Sequence, residues 1–179
     1  MSQAKMIIAA AALAAAGSAA NGAMTWNDTV ALTTLEPVRM TFPGWGEARG
    51  AADGVVDTTI TMPNFVGTDL VSMNIKILPD QETSYGPGEL EAIVFDQSVT
   101  PTAMKFGMPV GSFNFDDDKN LFWTFSAGEY TTGDFVTFTF TILTPNMQLF
   151  DIEFEPNIPT PGSLALAGMA GLAGIRRRR

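Results

Sequence analysis

The feature that most constrains the fold is a strict alternation of apolar and hydroxyl side chains in residues 135–142, which read FVTFTFTI. Residues two apart in an extended strand lie on the same face, so this alternation predicts a strand with one buried and one solvated face. The same period of two recurs in residues 71–77 and 150–155. The apolar face of the first segment comprises Val136, Phe138, Phe140 and Ile142, and the polar face comprises Thr137, Thr139 and Thr141.

Shorter segments of similar character are separated by turn-forming proline, glycine, asparagine and aspartate residues. We expect further strands at residues 29–33, 38–42, 55–62, 91–95, 112–115 and 121–125. Many short strands about ten residues apart, each with one apolar face, pack best as two sheets face to face. The sequence therefore predicts a single all-β domain over residues 25–156, a two-sheet β-sandwich of jelly-roll-like type.

Two residue types are missing from the whole chain, which has neither cysteine nor histidine. Without cysteine there is no disulfide, no thiolate nucleophile and no structural zinc cluster of the usual kind. Without histidine the chain lacks the commonest general base and the commonest zinc and copper ligand. Triad-type serine hydrolases, zinc hydrolases and histidine-ligated haem proteins are excluded. Carboxylate chemistry and oxygen-ligated metal binding remain open.

Acidic residues dominate the predicted domain. All nineteen lie between Asp28 and Glu155, against five basic residues in the same region, which gives a formal charge of −14. Such a surface repels nucleic acid and anionic lipid, because binding to either depends on cationic contacts. The charge favours cations and neutral or cationic partners, and it is also what a surface needs simply to stay soluble. We expect no nucleic-acid partner.

The N-terminus has the pattern of a secretory signal peptide. Lys5 supplies a positive charge, residues 6–16 form an unbroken apolar run, and Ser18, Ala19 and Ala20 offer small residues to a signal peptidase. We expect a signal helix in residues 1–20 with cleavage after Ala20. The alternative is a helix buried in the fold.

The C-terminal region has the pattern of a membrane anchor. Residues 164–175 contain only Leu, Ala, Gly, Met and Ile, and four arginines follow. Residues 162–175 as a helix span about 21 Å, short of the ~30 Å hydrocarbon core, so the segment is marginal as a permanent span. The arginines should stay on the cytoplasmic side and leave the domain outside. A buried core helix is the alternative, but this segment has no polar face.

This region resembles the sorting tail of the PEP-CTERM family of exported bacterial proteins. The family pattern is a Pro-Glu-Pro-type motif, a hydrophobic helix and a terminal arginine cluster, and residues 157–179 carry a linker and all three parts in order. The motif position holds Thr160 where the family pattern has glutamate. The resemblance implies export, a transient anchor in the inner membrane, processing by an exosortase-type enzyme, and residence in the cell envelope or outside the cell. The matching residues are Pro159, Thr160, Pro161, Arg176, Arg177, Arg178 and Arg179.

An acidic stretch in residues 113–125 is the best candidate for a metal site. Asp116, Asp118 and Asn120 stand at alternate positions of a predicted hairpin tip, and oxygen ligands spaced two apart are typical of calcium loops. The full EF-hand pattern fails, because Leu121 and Ala127 occupy its glycine and glutamate positions. Calcium would need further ligands, for which the candidates are Asp53, Asp57 and Glu129. The alternative is a solvated turn in which aspartate and asparagine supply turn geometry.

Two features suggest more specific functions. Trp45 lies in a proline- and glycine-rich loop, where it could stack on a sugar ring or close one end of the sandwich. Glu89 and Glu91 have the ~7 Å spacing of a glycosidase pair, but among nineteen acids some pair will always have it.

Three functional hypotheses follow. The first is an exported surface or matrix protein with a structural or interaction role, no catalytic activity and no required cofactor. The alternative is a carbohydrate-binding module for exopolysaccharide. The third is a carboxylate-based hydrolase, which a pair of buried acids in a deep cleft would support.

Overall fold

The computed structural model describes residues 24–42, 54–81, 84–144 and 148–158. These residues form eleven β-strands in two sheets and contain no helix, so this part of the chain is all-β, as the sequence predicts. The predicted signal helix, the loop with Trp45 and the sorting tail from Pro159 onward lie outside the described residues. Within those residues, no helix is long and apolar enough to cross a membrane.

The strands in chain order are β1 (Met24–Thr29), β2 (Val38–Thr41), β3 (Val55–Pro63), β4 (Ser72–Pro79), β5 (Val94–Phe95), β6 (Thr102–Lys105), β7 (Met108–Pro109), β8 (Ser112–Phe115), β9 (Asn120–Thr124), β10 (Phe135–Leu143) and β11 (Phe150–Asn157). The six-stranded sheet has the order β1-β3-β10-β6-β7, with β5 also paired to β10. The five-stranded sheet has the order β2-β11-β4-β9-β8. All pairs are antiparallel except β1 with β3, which is parallel.

One face of each sheet contributes to a shared aromatic and aliphatic core. Trp123 of β9 and Phe138 of β10 belong to different sheets, and their ring centroids lie 5.8 Å apart. Trp26 of β1 and Phe150 of β11 make a second contact between the sheets at 6.2 Å. Because both rings of each pair are buried, these contacts hold the apolar faces of the two sheets together.

The predicted alternation of the longest strands is confirmed. In β10 the four apolar side chains are buried, Thr137 is half-buried and Thr139 is exposed, whereas Thr141, predicted on the solvated face, is buried. The segments predicted at residues 71–77 and 150–155 are β4 and β11, and the predicted strand at residues 112–115 is β8. Amphipathic alternation over six or more residues was therefore a sufficient signal.

Predictions for several shorter segments were wrong. The strand expected at residues 29–33 is β1, which ends at Thr29; beyond it, Leu32 makes one isolated bridge to Asn64. Residues 87–92 form a turn instead of most of the strand expected at 91–95, since the Glu89 carboxylate accepts a hydrogen bond from the Gly86 amide. Strands β6 and β7 were missed. Their two-residue turn has positive φ at both Phe106 (50°) and Gly107 (77°), a conformation in which phenylalanine is rare.

Candidate functional site

The outer face of the six-stranded sheet is lined by threonine. Since the apolar residues of β3 and β10 face the core, the alternate residues of those strands face outward, and the same holds for β1 and β6. We call this surface the threonine face. Its members are Thr25, Asn27, Thr29, Asp57, Thr59, Thr61, Thr102, Thr137, Thr139 and Thr141.

Strand register arranges these side chains in rows across four adjacent strands. One row runs Asn27, Thr59, Thr139, Thr102, and the next runs Thr29, Thr61, Thr137, Met104. Neighbouring strands lie ~4.8 Å apart, and successive outward residues of one strand lie ~7 Å apart. The result is a two-dimensional array composed mainly of threonine hydroxyl and methyl groups, with Asn27 at one edge and Met104 at the other.

Side-chain hydrogen bonds link several members of the threonine face, which carries a single carboxylate. Asp57 is the only ionisable residue at the outward positions of these four strands, and its Oδ1 accepts a hydrogen bond of 2.7 Å from the Thr141 hydroxyl. The hydroxyls of Thr61 and Thr137 lie 3.0 Å apart, at hydrogen-bond distance. Thr139 and Thr102, at the other end of the first row, are solvent-exposed.

Exposed aromatic rings border the threonine face at the start of β10. Phe135 is 47% exposed and Phe65 is 50% exposed, and their rings meet almost perpendicularly with centroids 6.2 Å apart. Phe106, which is 77% exposed, follows Lys105, the residue paired with Val136, so the β6–β7 turn lies beside the same end of β10. We call Phe65, Phe106 and Phe135 the aromatic border.

The predicted acidic loop is the tip of the β8–β9 hairpin, but its interactions differ from the predicted ligand set. The centre of the tip is Asp117, whose carboxylate accepts hydrogen bonds from the Lys119 backbone amide (2.7 Å) and the Asn120 side-chain amide (2.8 Å). The Lys119 amide and, next, the Asn120 side chain lower the pKa of Asp117. Asp116 accepts a separate hydrogen bond from Asn114.

The hairpin tip is docked against residues 90–95. The Phe95 amide donates to the Asp118 carbonyl at 2.7 Å, and the Lys119 ammonium donates to the carbonyls of Leu90 and Ile93. Two of the additional calcium ligands considered have other partners: Asp57 belongs to the threonine face, and Glu129 accepts hydrogen bonds from the Ser126 and Gly111 amides. Asp53 lies outside the described residues. In the described part of the chain, no group of three or more acidic, histidine or cysteine side chains is placed to hold a metal ion.

Two partly buried ion pairs were not predicted from the sequence. Lys105 and Asp134 meet at 2.6 Å, and the same Asp134 oxygen accepts hydrogen bonds from the Thr131 amide and hydroxyl. Burial on its own raises the pKa of Asp134, but these hydrogen bonds outweigh it and lower the pKa overall. Arg39 and the almost fully buried Asp151 meet at 2.5 Å in the five-stranded sheet.

The one feature of the sequence that could have indicated these ion pairs is the scarcity of basic residues. In the residues that the structure describes there are four, and each has a local partner: Arg39 binds Asp151, Lys76 binds Glu155, Lys105 binds Asp134 and Lys119 binds backbone carbonyls. Pairings across strands depend on sheet order, which the sequence does not state.

Comparisons with known proteins give no indication of function, so function is inferred from the fold and the candidate site. The chain matches no family model, no curated protein and no solved structure. The sorting residues and Trp45, outside the described residues, stay sequence predictions.

Proposed function

We propose that the protein is an exported cell-surface or extracellular-matrix protein with a non-catalytic structural or interaction role. The folded domain is a β-sandwich of jelly-roll-like type, a fold proposal supported by the ring contacts between its two sheets. Signal peptidase removes residues 1–20, and an exosortase-type enzyme processes the tail near Pro159, Thr160 and Pro161. Until then the hydrophobic segment at residues 164–175 and Arg176–Arg179 hold the chain in the inner membrane.

The observation that carries the interaction role is the threonine face. A face of mostly short side chains, with Asp57 as its single carboxylate, extends across four strands of a domain whose formal charge is −14 and offers a contact surface for a partner without strong charge. The acids with clearly shifted pKa support a structural role for their carboxylates. The Lys119 amide and the Asn120 side chain lower the pKa of Asp117. Burial opposes the shift at Asp134, but hydrogen bonds from Lys105 and Thr131 lower its pKa overall, whereas a general acid at neutral pH needs a raised pKa.

Carbohydrate binding is the second candidate, and the aromatic border favours it. Exposed rings beside polar hydroxyl groups are a combination that suits sugars, which have both apolar C–H faces and hydroxyl edges. In this alternative the domain is a binding module for exopolysaccharide, with Trp45 as an additional stacking residue.

Export is tested by substitution of Leu13→Arg, with the intact mass of the protein measured in each cell fraction. A charge at the centre of the hydrophobic core of a signal segment costs ~2.5–3.5 kcal/mol on insertion scales. We expect the variant to remain in the cytoplasm as the full-length precursor, and the native chain to appear outside with residues 1–20 removed. Surface delivery of the variant with its N-terminus cleaved contradicts the signal-peptide assignment.

A further inference from the structure

We propose that the threonine face binds an extended, uncharged polysaccharide that lies along β10, with one end against Phe135 and Phe65. This inference rests on the proposed function, since it supposes that the domain lies outside the cell. It adds a site and a ligand class. The site is the strip formed by Phe135, Thr137 and Thr139 with the threonines beside them on β3 and β6.

The chemistry of the strip matches a polysaccharide on two counts. Threonine presents a methyl group and a hydroxyl together, so a row of threonines offers both apolar contact and hydrogen bonds to a sugar ring. At the end of the strip, Phe135 and Phe65 are each about half exposed and offer ring surface to a pyranose face. From Phe135 to Thr139 the accessible outward positions of β10 extend ~13 Å, enough for about two sugar rings in line, and Thr141 beyond them is buried.

Charge selects an uncharged ligand. A domain of formal charge −14 repels an anionic polysaccharide. A cationic polysaccharide has a single carboxylate to bind at the outward positions of β1, β3, β6 and β10, that of Asp57, which accepts a hydrogen bond from Thr141. A second copy of the chain brings a second −14 domain towards the first, and sheets that stack face to face do so through apolar side chains.

Shape disfavours ice, the other uncharged surface with which a threonine array is compatible. Adjacent strands in an open sheet are rotated by about 20–25°, so a four-stranded array is a twisted surface rather than a plane. A polysaccharide chain can follow a twisted strip along one strand, whereas an ice lattice cannot. The aromatic border also has no role in ice binding, but it supplies the end of a sugar site.

The test is binding of the purified full-length chain, kept in mild detergent, to cellulose, chitin and dextran at low and high salt. We expect retention on at least one of the three, unchanged by salt because no ion pair is formed. Thr139→Lys should weaken that binding about tenfold, the effect of losing one or two hydrogen bonds in the strip. Phe135→Ala should weaken it in the same direction. Thr124→Lys, the same change at an exposed position of the five-stranded sheet, should leave it unchanged.

A second variant tests the same site in case Thr139→Lys fails to fold. The double change Thr59→Val and Thr139→Val keeps the β-branched shape and removes only the hydroxyls, and we expect it also to weaken binding. Wild-type binding to none of the three polysaccharides, or equal binding by folded Thr139→Lys and Phe135→Ala, overturns the proposal. Shaping of ice crystals that is lost in Thr139→Lys overturns it in favour of ice, and self-association lost in the same variant overturns it in favour of a second copy.

Because the assay uses purified protein, its result is independent of export. Cytoplasmic retention of the native chain would reject the proposed function while leaving sugar binding measurable. Absence of polysaccharide binding by the wild-type chain, together with normal export, would reject only the polysaccharide site.

Discussion

Tyr130 joins the core to the turn before β10. Its side chain is completely buried, its ring centroid lies 5.2 Å from that of Phe125, and its hydroxyl donates a 2.6 Å hydrogen bond to the Met62 carbonyl. Burial is the main cause that raises the pKa of Tyr130, and the nearby charge of Asp134 adds to it. The phenol therefore stays neutral in the folded state at pH values where an unfolded tyrosine ionises.

The raised pKa of Tyr130 predicts a loss of stability in alkali. Below pH ~10, the unfolded pKa, its contribution is fully present, and it is lost as the pH rises towards the folded pKa. Tyr130→Phe should reduce the free energy of unfolding at pH 7 by about 1 kcal/mol, since the Met62 carbonyl loses its partner. The same variant should show a shallower decline of that free energy between pH 9 and pH 11.

Urea unfolding at a series of pH values measures both effects. Tyr85→Phe is the matched control, because burial also raises the pKa of Tyr85 but its side chain is only half-buried. We expect the control to change the alkaline slope less than Tyr130→Phe does. Equal alkaline slopes for wild type and Tyr130→Phe would refute the assignment.

At the scale of strands, the sequence predicted elements with a long alternating pattern and missed those defined by their turns. β10 and β11 could be found because burial imposes a period of two on eight or nine residues. β6 and β7 have four and two residues, too few for a period, and Phe106 replaces the asparagine or glycine that usually announces such a turn. The sequence predicted β1 at the wrong position, residues 29–33, because the outer edge of this strand is unpaired among the described strands and only Trp26 is fully buried.

The candidate sites, like the strands, contain features that the sequence predicts and features that it does not. The threonines of β10 were assigned correctly to a polar face, but the threonine face exists only because β3 and β6 flank β10 in matching register. Sheet order arises from long-range packing, and a single sequence does not encode it in any local pattern. In the acidic loop the hairpin was predicted, whereas the central role of Asp117 was not. A turn places its residues by backbone geometry, which spacing alone does not give.

The hairpin tip leads to a prediction that separates a turn from a calcium site. Asp117 holds the tip through Lys119 and Asn120, so we expect Asp117→Ala to lower the melting temperature by about 2–4 °C, the effect of roughly one hydrogen bond in a domain of this size. The decrease should be the same in millimolar calcium and in chelator. Asp118→Ala, the matched control, removes a carboxylate but leaves the backbone carbonyl that contacts Phe95, and should have a smaller effect.

The calcium hypothesis makes the opposite prediction for the same hairpin. If Asp116, Asp118 and Asn120 bind calcium, millimolar calcium raises the melting temperature of wild type by mass action, and Asp118→Ala abolishes the rise. Differential scanning fluorimetry in calcium and in chelator distinguishes the two. A calcium-dependent rise in wild type that is absent in Asp118→Ala would replace the turn interpretation with a metal site.

At the scale of the whole molecule, charge is divided among three regions. The folded domain carries all nineteen acids, its basic residues that the structure describes have local partners, and the threonine face has little charge. Four arginines follow the apolar residues 164–175, outside that domain. This division fits a molecule whose domain is released into water on one side of a membrane while its arginines are retained on the other.

The arginine block gives the last prediction. Replacing Arg176, Arg177, Arg178 and Arg179 with serine removes the charges that resist translocation and changes no residue of the described domain. We expect the variant to pass into the periplasm or medium with residues 164–175 still attached. The native chain should be recovered from the envelope or medium without the residues that follow Pro161.

A peptide map of both forms measures this outcome. Leu13→Arg serves as the control, because it blocks export at the other end of the chain and should leave the tail intact inside the cell. The two variants should therefore retain the tail on opposite sides of the membrane, and its loss from the exported native chain alone would indicate that processing accompanies export. Arg176–Arg179 found on the mature native protein outside the cell would contradict the sorting assignment, because a segment that is cut off on the outer side cannot accompany the finished protein.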